Sequence, residues 1–310
     1  MKLKVLVADP VDVSAVDILM RAGFEVDLRP GINAAELESV IGGYDVLIVR
    51  GRTKVTSKII ERGLPKLKVV GRAGVGLDNV DVEAALRHGI TVLNTPESST
   101  NSVAELVIGL MIAVARKIAW CDRIMRAGRW PKGEAMGFEL AAKTLGVIGF
   151  GRIGRRVAEI AYAMGMKIIA YDVIPIPDDV LAKTETRLTS LEEVLREADV
   201  VTLHVPLTRE THHLINAEKL ALMKPSAILI NASRGEVVDE QALIQALSTG
   251  RLAGAGLDVY EKEPPIGSKL LELDNVVLTA HIGAQTTAAQ EAAATMLAKK
   301  IIETFATSQF

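Results

Sequence analysis

The stretch Gly149-Phe150-Gly151-Arg152-Ile153-Gly154 constrains this chain most, because it follows the apolar run 144–148 and opens a helical pattern over 155–164. A bare G-x-G-x-x-G is weak evidence, but between a strand and a helix each glycine has a function. The first makes a tight turn, the second lets backbone approach a pyrophosphate, and the third packs helix on strand. The helix start adds unpaired N–H groups and a partial positive charge. Asp172 lies eighteen residues past Gly154, closing a strand pattern at 167–171, where a carboxylate accepts hydrogen bonds from ribose hydroxyls. The pattern is that of a dinucleotide site, and it favours NAD over NADP. Asp172 repels a 2′-phosphate, and Val173-Ile174-Pro175 offers no arginine to receive one.

Short apolar strands alternate with amphipathic helices along the rest of the chain, which predicts parallel sheets covered by helices. Strands are expected at 4–8, 24–28, 46–49, 68–70 and 91–93, with helices at 15–22, 34–41, 57–62 and 82–87 between them. This first region has no glycine fingerprint at its first turn, so dinucleotide binding belongs to the second. Thr95-Pro96 breaks the alternation, and Ser102 with Glu105 resembles a capping box opening a long helix toward Trp120. Further strands are expected at 144–148, 167–171, 200–204, 227–231, 255–258 and 276–279, about six in all, the size of a dinucleotide-binding sheet. A last helical pattern, 286–305, is expected to cross back to the first region. The expected fold is α/β with two doubly wound parallel-sheet domains. A Rossmann cofactor domain, 98–283, is inserted in a discontinuous flavodoxin-like substrate domain, 1–97 and 284–310.

The totals narrow the partners. Lys plus Arg is 36 against Asp plus Glu 38, a net charge of -2, so attraction to nucleic acid or to an anionic membrane is not expected. The single cysteine, Cys121, allows no intrachain disulfide and fits a reducing cytoplasm. Residues 2–8 alternate like a strand rather than a secretory leader. The most apolar run, 106–115, is too short to span a bilayer. The helix 103–115 around it exceeds one apolar stripe, which predicts packing on more than one side and a subunit contact.

Three segments place chemistry-bearing residues at strand ends, where open α/β sheets bind ligands. Arg234 follows the strand 227–231, and a guanidinium there can hold a carboxylate by two parallel hydrogen bonds. Glu261 and Glu263 precede Pro264-Pro265, a pattern that fits a solvated loop as readily as a site. His281 follows the strand 276–279 and precedes a glycine turn. His88, His204, His212 and His213 show no metal-ligand spacing, no metal is expected, and His204 reads as strand core.

Arginine, acid and histidine in this order, each after a strand of one dinucleotide-binding domain, resemble the D-isomer-specific 2-hydroxyacid dehydrogenase family over nearly the whole chain. The carriers are the segments 147–154, 231–239, 256–265 and 281–284. The resemblance implies Arg234, Glu263 and His281 as the catalytic trio, with Glu263 preferred to Glu261 because it directly precedes the double proline. It implies that Gly149, Gly151, Arg152, Ile153, Gly154 and Asp172 hold NAD, with Val205 and Pro206 beside the adenosine half and Asp258 near the nicotinamide carboxamide. Val75, Ala232, Ser233, Gly283 and Ala284 complete that site with Arg234 and His281. In the implied chemistry neutral His281 accepts the 2-hydroxyl proton as a hydride leaves C2. Glu263 fixes the histidine tautomer and raises its pKa, and Arg234 positions the substrate carboxylate. Backbone at Gly74-Val75-Gly76 binds the same carboxylate from the first domain, so catalysis requires an interdomain cleft to close.

Within the family the segments 49–56, 71–79 and 94–96 resemble the phosphoglycerate dehydrogenase branch. That likeness implies oxidation of D-3-phosphoglycerate to 3-phosphohydroxypyruvate, the first step of serine biosynthesis. Arg50 and Arg72, each after a first-domain strand, would converge on the phosphate. Asn101 joins the substrate set, as does Lys132, reaching in from a partner subunit. Two alternatives stand beside this reading, a glyoxylate or hydroxypyruvate reductase and a corepressor-like, dinucleotide-responsive binding protein. The likeness also implies a twofold homodimer through the cofactor domains. Because the sequence ends at Phe310, just after the returning helix, a serine-sensing domain and inhibition through it are not expected.

Overall fold

The computed structural model describes residues 2–307; Met1 and residues 308–310, the two ends of the expected substrate domain, lie outside the described residues. The chain divides into two compact units, Met1–Ser99 with Ala284–Phe310, and Thr100–Gly283. The first unit begins β1 (Lys4–Val7), α1 (Val13–Arg21), β2 (Glu25–Leu28), α2 (Ala34–Val40), β3 (Val46–Val49), α3 (Ser57–Gly63), β4 (Val69–Arg72), α4 (Val82–Arg87) and β5 (Thr91–Asn94). The second runs α5 (Thr100–Ala115), α6 (Ile118–Arg126), β6 (Thr144–Ile148), α7 (Arg152–Ala163), β7 (Lys167–Tyr171), α8 (Asp178–Ala182), β8 (Arg187–Leu188) and α9 (Leu191–Glu197). It continues through β9 (Val200–Leu203), α10 (Ala217–Leu222), β10 (Ile228–Asn231), α11 (Glu240–Ser248), β11 (Gly254–Leu257) and β12 (Val276–Leu278), after which α12 (Thr287–Thr307) returns to the first unit.

In the first unit all strands are parallel in the order β2-β1-β3-β4-β5, the flavodoxin-like arrangement. Both sheet faces are buried, as parallel sheets require. Val5 and Val7 point to a core shared with Leu19 of α1 and Leu297 of α12, while Leu6 points to Leu37 and Ile59 on the other side. A Cβ on Gly71 would stand 3.0 Å from Leu297 Cδ1, so glycine lets α12 lie close against β4. Asp12, Asn33 and Asp81 start α1, α2 and α4 by accepting first-turn N–H groups.

The second unit has a parallel sheet in the order β12-β11-β10-β9-β6-β7-β8. This is the Rossmann order, reversing direction beside β6. One face is covered by α5 and α7 and the other by α9, α10 and α11. Each strand expected from sequence is present within two residues at either end. The sheet has seven strands rather than six, because β8 is a two-residue, exposed edge strand without an apolar run.

Two local expectations are corrected. Ser102 does not cap α5; the helix starts at Thr100, and the Ser102 hydroxyl donates to Gly283 O at 2.6 Å. The long helix does not continue to Trp120 but breaks at Lys117, which has φ 52°, and restarts as α6. The apolar residues of α5 pack on more than one side, on α7 and on β10 and β11, as expected. Among the described residues no helix is long and apolar enough to cross a membrane.

Candidate active site

The glycine loop joins β6 to α7. Gly149 has φ +92°, and a Cβ there would lie 2.7 Å from His204 O, so only glycine fits the turn. At Gly154 a Cβ would stand 2.1 Å from Gly149 O, which fixes how tightly α7 sits on the loop. Gly151 differs: nothing of the protein lies within 4 Å of a Cβ built on it. It starts α7 without any side-chain hydrogen bond to the helix. Asp172, at the end of β7, accepts the Phe150 N–H at 2.6 Å and the Ile174 N–H at 2.9 Å. A carboxylate is thereby fixed beside the loop, with lone pairs left for hydroxyl donors. Uncapped helix start, open space at Gly151 and anchored acid together fit the pyrophosphate and ribose of a dinucleotide.

Around this loop Arg152 is exposed and Ile153 half-buried on the first turn of α7. Val205 and Pro206 follow β9, with Val205 Cγ1 3.0 Å from a Cβ built on Gly149. His204 lies one residue beyond β9 rather than inside it. Its Nε2 meets Thr202 Oγ1 at 3.0 Å, and burial pushes its pKa down to about 3, so it stays neutral.

At the end of β10 the buried Asn231 shapes the next turn. Its Oδ1 accepts from Ser233 N (3.0 Å) and Ser233 Oγ (2.8 Å), and its Nδ2 donates to Arg234 O at 2.9 Å. Ala232 and Ser233 are half-buried within this turn, and Arg234 Nη1 donates to Ser233 O at 2.7 Å. A Cβ on Gly235 would stand 1.9 Å from Tyr260 C, so the Arg234 turn is pressed onto the loop that carries the acids. In that loop Glu263 Oε2 meets His281 Nδ1 at 2.8 Å, and Glu263 Oε1 accepts the Tyr260 N–H at 3.3 Å. Glu261 instead pairs with His213 Nε2 at 2.7 Å, so each acid has its own histidine.

His281 has φ 52°, a left-handed conformation that costs a non-glycine residue ~1 kcal/mol. Asp258, buried after β11, holds it there. Its carbonyl accepts the His281 N–H at 2.9 Å. Its carboxylate accepts Ile282 N (2.8 Å), Gly283 N (2.8 Å) and Thr279 Oγ1 (2.6 Å). The Asp258 carboxylate therefore serves first as the anchor of the histidine turn, a use that sequence reasoning missed. Tyr260 adds a second tie that went unread, its hydroxyl donating to Thr279 O at 2.7 Å.

The side chain of His281 is half-exposed, at 51%. Its pKa is raised, chiefly by the hydrogen bond to Glu263, against burial. Glu263 is pushed up by burial, yet the bond to His281 outweighs this and holds its carboxyl below the usual range. With Nδ1 engaged by a carboxylate, His281 keeps Nε2 as its working nitrogen.

In the first unit Arg50 and Arg72 both lie at the carboxyl edge of the sheet, after β3 and at the end of β4. Arg72 Nε donates to Arg50 O at 3.1 Å, and Arg50 Nη2 donates to Gln285 Oε1. The Gly74 N–H donates to Thr95 Oγ1 at 2.9 Å, and Val75 O accepts from Asn94 Nδ2 at 2.6 Å. Ala284 O accepts from Gln290 Nε2 at 2.6 Å. Asn101 and Lys132 stand outside the His281 hydrogen-bond network; Asn101 Oδ1 accepts from Arg156 Nε at 2.9 Å, and Lys132 is exposed in the loop after α6.

Residues 108–283 match the family model described as the D-isomer specific 2-hydroxyacid dehydrogenase, NAD binding domain. The chain is 49% identical over 300 residues to the D-3-phosphoglycerate dehydrogenase of Methanocaldococcus jannaschii, covering 96% of this chain and 57% of that protein. It is 47% identical over 309 residues to the hydroxypyruvate reductase of Thermotoga maritima, covering 97% and 98% respectively. The chain thus spans little more than half the length of the first relative and nearly all of the other. Among solved structures, the TT0316 protein of Thermus thermophilus superposes with a TM-score of 0.90 at 39% identity, over 98% of this chain and 97% of that one. The glycine loop with its acid, the paired histidine and these matches lead to one conclusion: the chain belongs to the D-isomer specific 2-hydroxyacid dehydrogenase family.

Proposed function

We propose that the protein is an NAD-dependent D-2-hydroxyacid dehydrogenase that oxidises D-3-phosphoglycerate to 3-phosphohydroxypyruvate, the first step of serine biosynthesis. The observation that carries the activity is the His281–Glu263 pair, 2.8 Å apart, on the loops that adjoin the Arg234 turn. His281 Nε2 takes the proton of the 2-hydroxyl in oxidation and returns it in reduction. Glu263 holds the ring in the tautomer that leaves Nε2 unprotonated and stabilises the imidazolium that forms. Arg234 binds the substrate carboxylate and fixes C2 in place. Bound NAD supplies the acceptor for the hydride that leaves C2. The residues that would hold it are Gly149, Gly151 and the first turn of α7 for the pyrophosphate, Asp172 for the ribose, and Val205 and Pro206 for the adenosine half.

Arg50 and Arg72 are assigned to the substrate phosphate, with Lys132 of a partner subunit and Asn101 as lesser members of the set. Support comes from their place at the sheet's carboxyl edge and from the phosphoglycerate dehydrogenases among the relatives. A second reading, a hydroxypyruvate or glyoxylate reductase, is favoured by the relatives that bear those names. The variant Arg72→Ala separates them. Loss of a charged hydrogen-bond partner should raise KM for 3-phosphoglycerate by about tenfold or more while sparing an unphosphorylated 2-oxo acid. Equal losses on both substrates would count against phosphate binding.

A further inference from the structure

Asp9 is 1% exposed, a carboxylate two residues beyond β1 at the carboxyl edge of the first sheet, where β1 lies next to the central β3. A buried charge is retained only where hydrogen bonds or an opposite charge compensate it, and here nearly all of them come from one short turn. Asp9 Oδ2 accepts Arg50 N at 2.7 Å and Thr53 N at 3.1 Å; Oδ1 accepts Thr53 Oγ1 at 2.6 Å and Arg52 Nε at 3.3 Å. Burial pushes the Asp9 pKa up, but the bonds from Thr53, Arg50 and Arg52 outweigh it and keep the group ionised.

The other side of the same turn is held as firmly. Asn79 Nδ2 donates to Arg50 O (3.1 Å) and to Thr53 O (2.7 Å), and Arg72 Nε donates to Arg50 O (3.1 Å). Both backbone polar groups of Arg50 are therefore fixed, its N–H by Asp9 and its carbonyl by Asn79 and Arg72. The Arg50 side chain extends from this fixed backbone, and its guanidinium donates to Gln285 Oε1.

We propose that Asp9 is a positioning residue for anion recognition: through the turn 50–53 it sets the direction in which Arg50 presents its guanidinium to the substrate phosphate. This rests on the assignment of Arg50 given above. Pre-organising a cation in this way strengthens anion binding without Asp9 meeting the ligand.

Steady-state kinetics on Asp9→Asn, Arg50→Ala and the double variant test it, with 3-phosphohydroxypyruvate and hydroxypyruvate as the two substrates. Asp9→Asn should raise KM for the phosphorylated substrate about tenfold. Its kcat, KM for NADH and KM for hydroxypyruvate should stay near wild type. In the Arg50→Ala background the same change should add nothing, the signature of two residues acting on one contact. If Arg50→Ala raises that KM and Asp9→Asn does not, or if the two effects multiply, the Asp9 proposal is wrong while the Arg50 assignment stands. If Arg50→Ala leaves KM unchanged, the assignment itself fails and takes the proposal with it. Should Asp9→Asn not fold, Thr53→Val removes one bond to Asp9 and should show the same pattern at roughly threefold; no change there would overturn the proposal.

Discussion

His281 and Glu263 form a hydrogen-bonded pair whose two members shift each other's ionisation. The hydrogen bond from Glu263 raises the histidine pKa against burial. With His281 as the proposed proton acceptor, oxidation needs its neutral form, so kcat/KM for the hydroxy acid should fall as pH drops through that raised pKa, and reduction should fall as pH rises through it. In Glu263→Gln the charge is gone, so both limbs should move to lower pH, with kcat reduced about 10- to 100-fold as the ring loses its orientation. A pH–rate profile with unmoved limbs would contradict the role given to Glu263. The choice between Glu261 and Glu263 was legible only through family resemblance. In the residues alone both acids precede the double proline, and it takes the folded loop to send one to His213 and the other to His281. Asp9, Asp258 and Tyr260 were less legible still, because a buried polar residue at a strand end looks the same in sequence whether or not a loop folds over it.

The glycine fingerprint shows what can be read at the scale of an element. Its strand, turn and helix were visible as an apolar run, a glycine turn and a helical pattern in succession, yet the three glycines answer to different constraints. Gly154→Ala drives a Cβ into Gly149 O and should lower the melting temperature by several degrees, about what ~1–3 kcal/mol of overpacking produces. Gly151→Ala meets no protein atom and should melt like the parent, while NADH affinity, read by fluorescence titration, drops at least about tenfold if the site is filled by pyrophosphate. Equal melting of both variants would argue against the packing account. Elements without a strong pattern escaped the sequence: β8 is two exposed residues on a sheet edge, and the break at Lys117 interrupts an apolar stretch with no glycine or proline to announce it.

Across the whole molecule, the discontinuous unit follows from chain order. A terminal helix too apolar to stand alone supplies Ala294, Leu297 and Ile301 to the core beside β1 and β4. A surface of the second unit, formed in part by the end of α5, bears on oligomerisation. Trp130 and Met136 are 76% and 81% exposed, and Met136, Phe138 and Trp120 border a largely apolar groove of about 570 Å³ on the second unit. Met136 at that groove and the exposed Trp130 elsewhere in the same loop region suit a second copy of the same surface. Light scattering at micromolar concentration should therefore give a dimer, and Trp130→Ser with Met136→Ser should shift it toward monomer; a parent that is stably monomeric contradicts this.

The most direct test of the account follows NADH absorbance with one preparation of the unmodified protein, comparing oxidation of D-3-phosphoglycerate with reduction of 3-phosphohydroxypyruvate, hydroxypyruvate and glyoxylate. The account predicts turnover with NAD far better than with NADP and a kcat/KM for the phosphorylated 2-oxo acid at least about 100-fold above the others, the scale set by two charge-assisted contacts to a phosphate. Preference for glyoxylate or hydroxypyruvate would contradict the assignment of Arg50 and Arg72, and no turnover of any of them would contradict the enzyme itself.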